Sequence, residues 1–136
     1  MPATLKLDIV TPEARVFSGY VEMVTVPGRV GEMGIFPMHV PLMSLLAPGE
    51  VVARVDGQDQ YFAVGDGFIK IMSDRVAILT DMAVEAKNID EAAVEEARHR
   101  AESRLKETLD NEETATVSAA LAHSLAQLHV KHRHPR

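Results

Sequence analysis

The sequence predicts an α+β protein: an N-terminal antiparallel β-sandwich, a flattened barrel of about ten short strands, followed by a C-terminal antiparallel two-helix hairpin. Three observations carry this expectation. Residues 1–84 alternate β-branched runs with turn signals every eight to twelve residues. The character changes near Val84, where strand-like runs give way to apolar residues spaced by four. A polar interval, Asp110 to Glu113, then divides the helical half in two.

Taken in order, Leu5, Leu7 and Ile9 alternate with Lys6 and Asp8, the period of two of a half-buried strand. Thr11-Pro12-Glu13 turns the chain, and Val16-Phe17 and Val21, Met23 and Thr25 extend it again. Pro27-Gly28 suits the centre of a type II turn. Pro37 and Pro41 break regular pairing and set Met38 and His39 in a stiff loop. After the Pro48-Gly49 turn, Val51–Val55 and Gln60–Val64 flank Asp56-Gly57, the pair favoured in a type I′ hairpin. Phe68–Met72, a Ser73-Asp74 turn and Arg75–Thr80 complete the β half. The expected division is a sandwich over residues 1–84 and a helical hairpin over 85–136.

Asn88 reads as the cap of the first helix, with Glu91 reaching back to it. Ile89, Ala93, Ala97, Ala101, Leu105 and Leu109 form its apolar stripe. Val117, Leu121, Leu125 and Leu128 form the stripe of a second helix from Thr116 to about Val130, and Pro135 stops it. Alanines remove little apolar area from water, so the hairpin is expected to be held more weakly than the β core and to be a moving part.

Composition narrows the function. An apolar content of 46 % supplies a packed core for one ordinary domain with an appendage. No apolar run approaches the roughly 18–20 residues that span a bilayer, and the start of the chain has no secretory pattern. There is no cysteine, which removes disulfides, thiolate metal sites and cysteine nucleophiles and leans towards a reducing compartment. A net charge of −6 argues against general nucleic-acid binding. The sign is uneven: residues 114–136 hold Lys131, Arg133 and Arg136 with no acid. Such a tail suits either the negative end of its own helix or an acidic partner surface.

The chemistry-bearing residues form no catalytic set. Glu32 and His39 share the proline-rich stretch, but exposed loop contact describes them better than an acid–base pair. Ser18, Ser44 and Ser73 lie in no nucleophile elbow. His129, His132 and His134 have ligand-like spacings without a thiol or carboxylate among them, so no metal is expected. No phosphate loop exists, because the glycines lack a following Lys-Ser/Thr. Neither an enzyme nor a cofactor site is expected.

The run Val-Pro-Gly-Arg-Val-Gly-Glu-Met-Gly-Ile-Phe-Pro-Met-His-Val-Pro-Leu at 26–42 resembles the epsilon subunit family of F-type ATP synthases. Leu46-Ala-Pro-Gly-Glu-Val51, Gly67-Phe68 and Asn88-Ile89-Asp90 extend the resemblance over essentially the whole chain. It implies a non-catalytic central-stalk (rotor) subunit, peripheral on the cytoplasmic face of a bacterial inner membrane. Its sandwich would pack on the gamma subunit and the c-ring and help couple proton flow to ATP synthesis. Its hairpin would fold on the sandwich or extend towards the catalytic alpha/beta hexamer and restrain hydrolysis.

Carried over by position, Glu32, His39 and Met38 are the implied c-ring and gamma contacts, and Lys131, Arg133 and Arg136 the implied hexamer contacts. Met38 stands where the family commonly has glycine, which implies a less strained loop or extra apolar contact. Ile89-Asp90 begins a nucleotide motif found in some bacterial members, but Ala93 follows where the motif has arginine, so ATP binding is expected to be weak or absent. The rival class is a free-standing β-sandwich that binds a small ligand beneath a helical lid, which leaves the 26–42 run without a reason.

Overall fold

The computed structural model describes residues 3–135. Ten strands precede two helices: β1 Leu5–Val10, β2 Arg15–Val21, β3 Met23–Gly28, β4 Gly31–Ile35, β5 Leu42–Leu46, β6 Gly49–Val55, β7 Gln58–Val64, β8 Gly67–Ile71, β9 Arg75–Thr80, β10 Ala83–Glu85, α1 Glu91–Leu105 and α2 Asn111–Arg133. The strands form one hydrogen-bonded sheet in the order β10-β7-β6-β3-β5-β8-β9-β1-β2, with β4 paired to β3. The β3–β5 link is the single pair Gly28↔Leu46, and there the sheet folds over on itself. Phe17 of β2 thereby meets Phe62 of β7 edge to face, ring centroids 5.5 Å apart. Leu5, Leu7, Ile9, Val24, Val26, Ile35, Phe62, Ile69, Ile71 and Ile78 fill the space between the layers. The sandwich predicted from strand periodicity is present, with one pair of different sense: β1 runs parallel to β9.

Local chemistry explains most of the turns. Asp56 and Gly57 both have positive φ, 51° and 77°, the geometry a type I′ hairpin needs between β6 and β7. The Pro27-Gly28 expectation is corrected: both residues end β3, and the turn is Arg29-Val30, between the register partners Gly28 and Gly31. Pro27 is tolerated because the β6 ladder has stopped at Thr25 and β5 joins only at Gly28, so on that side a missing N–H breaks no bond.

The helical half differs from expectation at its caps. Asn88 lies in a single 3-10 turn, Ala86–Asn88, and α1 is capped by Asp90, whose carboxylate accepts from the Ala93 N–H at 3.2 Å. Residues 110–113 are not the connector: Asp110 caps α2, accepting from Glu113 N–H at 2.7 Å, and Asn111–Glu113 form its first turn. A carboxylate caps as well as an amide and also favours the positive helix end. Both real caps are aspartates.

The α1 stripe holds through Ile89, Ala97, Ala101, Leu105 and Leu109, although Ala93 is exposed and Val94 turns inward in its place. The α2 stripe is corrected. Leu125 is 49 % exposed, while Ser124, Ala126, Leu128 and Val130 are buried. The reason is that α2 serves two neighbours, α1 on one side and β6 and β7 on another. A helix with two contact faces buries residues that no single stripe contains. Val130 is fully buried against Ala63, Ala86 and Ile89, with Tyr61, Met82, Val84 and Val94 around them.

Candidate functional site

The region around β4 presents two separate surfaces rather than one. Glu32 lies opposite Pro27 in the β3–β4 ladder and is exposed. With Glu50, Pro48, Leu125, His129 and Arg133 it lines a groove of about 600 Å³ between the sandwich and α2. Met38 and His39 follow the far end of β4. The Met38 N–H donates to the Ser73 carbonyl at 2.7 Å, which ties this loop to the β8–β9 turn. The His39 Nδ1–H donates to the Val40 carbonyl at 2.7 Å. The structure thus brings Met38 and His39 together and sets Glu32 at the other end of β4, in a different set of neighbours.

Met38 corrects one expectation. Its φ is +70°, a left-handed backbone that suits glycine better than methionine, so the loop is strained here rather than relaxed. Nor does its side chain gain cover, since it is 80 % exposed. A left-handed L-residue costs about 1–2 kcal/mol, and glycine returns about 0.4–1 kcal/mol of that through its freer unfolded chain. Met38→Gly is therefore expected to stabilise the fold by about 0.5–1 kcal/mol, read as a higher denaturant midpoint. A lower midpoint would mean that Met38 makes a stabilising contact in solution.

The outer face of β5, β8 and β9 was not anticipated from the sequence. Leu45, Phe68 and Leu79 are direct cross-strand neighbours and are 48, 52 and 46 % exposed. Met43, Lys70 and Ala77 form the next row, and Met43 is 64 % exposed. Apolar side chains in register across three strands make a contiguous patch, which marks a contact surface more strongly than scattered exposed residues do. The sequence signal was available in Leu45-Leu46, Phe68-Ile69 and Ile78-Leu79, where two adjacent apolar residues break the period of two and place one on each face. Gly67 keeps β8 close to β9 beneath the patch, because a Cβ there would collide with the Leu79 carbonyl.

The remaining residues of interest lie along the seam between hairpin and sandwich. Glu50, 10 % exposed on β6, accepts from Arg133 Nη1 at 3.4 Å and meets His134 Nε2 at 2.9 Å. The His134 ring stacks on Tyr61 with centroids 3.4 Å apart. Lys131 Nζ donates to the Ala86 carbonyl at 3.2 Å. Arg133 is therefore tied to the sandwich and Lys131 to the turn that precedes α1, and Arg136 lies outside the described residues.

His132 meets Glu91 at 2.8 Å and His123 meets Asp81 at 3.1 Å. His132 and His134 thus take separate carboxylates, and among the described residues no group of three or more His, Asp or Glu side chains is arranged to hold a metal. Ile89 is buried in the seam and Asp90 is the α1 cap, so both act in the scaffold itself. Two guanidinium groups are held above their ordinary value: Arg54 by its hydrogen bond to Asp59, and Arg98 by its hydrogen bond to Glu95 on the same helix.

Among the described residues no helix is long and apolar enough to cross a membrane. Comparison with known proteins gives consistent results for both halves. Residues 4–86 match the model of the ATP synthase delta/epsilon chain β-sandwich domain. Residues 87–131 match that of the ATP synthase delta/epsilon chain long α-helix domain. The ATP synthase epsilon chain of Alkalilimnicola ehrlichii is 40 % identical over 132 residues, covering 96 % of this chain and 94 % of that one. The ATP synthase epsilon chain 1 of Methylococcus capsulatus is 43 % identical over 129 residues, covering 94 % and 92 %. Among solved structures, a chain of the Euglena gracilis mitochondrial ATP synthase (OSCP/F1/c-ring) superposes with a TM-score of 0.74 at 22 % identity, covering 93 % of this chain and 80 % of that one.

Proposed function

Because this chain belongs to the ATP synthase delta/epsilon chain family and is an epsilon chain within it, we propose that it is a non-catalytic central-stalk subunit that docks through its sandwich and regulates through its hairpin. The observation that carries the docking half is the apolar patch of Met43, Leu45, Phe68 and Leu79 on the outer face of β5, β8 and β9. Its occupant in this reading is the gamma subunit, buried over these rows for the life of the complex. Glu32 and the Met38-His39 loop contact the c-ring and the gamma–ring junction from separate ends of β4. The sandwich, residues 1–84, thereby passes the rotation driven by proton flow to the stalk.

The regulatory half belongs to residues 85–136. In the closed arrangement Arg133 is held against Glu50 of the sandwich and Lys131 against the Ala86 carbonyl of the connecting turn. Extended along gamma, they and Arg136 meet acidic loops of the alpha/beta hexamer and restrain ATP hydrolysis. The subunit works on the cytoplasmic face of a bacterial inner membrane, held there by the complex. No nucleotide is needed for this, since Ala93 stands where a phosphate-holding arginine would be required and Asp90 is committed as a cap. Shifts of the α1 amide resonances at millimolar ATP would overturn that part.

The ligand-binding rival gives the apolar rows no role. Affinity capture separates the two. Tagged full chain is expected to bring down the gamma and catalytic subunits in fixed proportion from detergent-solubilised membranes. Recovery of the chain alone would sink the stalk assignment.

A further inference from the structure

We propose that Asp8 is a docking contact on the outer face of the sandwich, where its carboxylate receives a cationic side chain from the subunit that covers β5, β8 and β9. This rests on the reading that the gamma subunit docks on that face. Asp8 Oδ1 is buried, and among the described residues it is the only buried side-chain polar atom that no donor reaches. Buried polar atoms nearly always have a partner, so an orphan calls for a reason.

Its place in the sheet supplies one. Leu5, Leu7 and Ile9 of β1 are in the core, which puts Lys6, Asp8 and Val10 on the outer face. Asp8 is in register with Ala77 of β9, Ala77 with Lys70 of β8, and Lys70 with Met43 of β5. The second row of the docking face therefore runs on past Ala77 to Asp8 and, on β2, to Ser18. Val10 extends the first row in the same way beside Leu79. With Pro12, Phe68 and Leu79 it lines a mainly apolar hollow of about 470 Å³. Asp8 is thus a carboxylate set at the margin of the apolar rows.

Three cations lie on the same face, and among the described residues none makes an ion pair with Asp8. Lys6 Nζ sits over the Tyr20 ring, 5.5 Å from its centroid. Arg75 Nε is 3.8 Å from Asp74 Oδ1. Lys70 is exposed, with β9 between it and Asp8. An ionised carboxylate only accepts hydrogen bonds. A docked subunit takes away the water that reaches the rest of Asp8, and a carboxylate covered without a donor opposes binding. The docked surface must therefore bring its own donor. A cation makes the strongest one, and a guanidinium can take both oxygens at once. Such a pair also fixes register, since apolar side chains discriminate little among positions along Leu45, Phe68 and Leu79, whereas one cation meets one carboxylate.

The test uses the full chain with Asp8→Ala and with Asp8→Asn. Each is titrated against the soluble complex of gamma with the alpha/beta hexamer, and each free chain is unfolded in denaturant. D8A is expected to keep or raise the denaturant midpoint, because it removes an orphaned acceptor. It should weaken docking about thirtyfold or more, the loss that follows truncation of one partner of a buried charge pair. D8N keeps the shape without the charge and should weaken docking nearly as far. Changing gamma's arginines and lysines to alanine one at a time should find one whose loss weakens the parent by the same factor and D8A no further.

A lower midpoint for D8A and D8N would mean that Asp8 is paired within the chain, by Lys70 across Ala77, and would overturn the proposal. Undiminished docking by both variants, or the absence of any gamma cation coupled to Asp8, would do the same. The companion change F68E/L79E separates this contact from the reading beneath it. If F68E/L79E loses docking while D8A docks as the parent does, the face stands and the Asp8 contact falls. If F68E/L79E also docks fully, both fall.

Discussion

A chain ending at Ala86 is expected to raise ATP hydrolysis by the reconstituted soluble complex several-fold over the full chain. The truncated sandwich should still fold, because every buried member of the main core lies between Leu5 and Ile78. What it loses is the weaker seam around Val130 and the two helices. With them go the cations Lys131, Arg133 and Arg136, which in our reading are the part that reaches the hexamer. The measurement is a steady-state hydrolysis rate, with gel filtration to show that the truncated sandwich remains on the stalk. Unchanged hydrolysis with the sandwich still bound would mean that the hairpin applies no restraint, leaving docking as the chain's whole contribution.

The second large effect is expected at the apolar rows. Phe68→Glu together with Leu79→Glu should weaken docking to the stalk by about a thousandfold or more. That corresponds to about 4 kcal/mol, a reasonable loss for two adjacent aromatic and aliphatic anchors replaced by desolvated charges. Both side chains point away from the core and both are about half exposed, so the isolated chain should keep its thermal midpoint within a few degrees. Affinity capture with the double variant and a melting curve decide the matter together. Loss of docking with an unchanged melt supports the patch as the interface. Full docking by the double variant would move the interface elsewhere.

Much of this architecture was legible in the residues because local and global signals agree. Alternation along Leu5–Ile9 and the Asp56-Gly57 pair fix their strands and hairpin from a few neighbouring side chains, and the structure follows them. The failures arise where position depends on distant partners. Pro27-Gly28 has turn chemistry, yet its place is set by where β5 and β6 stop pairing with β3. Leu125 fits a helical stripe, yet α2 must face both α1 and β7, and the stripe loses to that geometry.

The candidate site was less legible than the fold. Glu32, Met38 and His39 stand out in sequence because glycine and proline surround them. What separates them into two surfaces is the length of β4, visible only once its register is known. The patch on β5, β8 and β9 hid in plain apolar runs. Such runs read as core until the pairing of Leu45 with Phe68 and of Phe68 with Leu79 puts them on the outside. The seam pairs, Glu50 with His134 and Asp81 with His123, join residues more than forty positions apart and had no local signature.

The parallel pairing of β1 with β9 bears on how the chain comes into being. On a ribosome Leu5–Val10 emerges before the other strands, and β2 can pair with it at once across the Thr11–Ala14 turn. Its other neighbour is not made until Arg75–Thr80 has been synthesised. Until then one edge of that nascent hairpin is bare, with Leu7 and Ile9 lacking the layer that will cover them. Contacts of such long sequence separation are slow to close. Closure of the β1 edge therefore waits on the ninth strand, and the helices, translated after the sheet, arrive at a surface whose final seam has only just been formed.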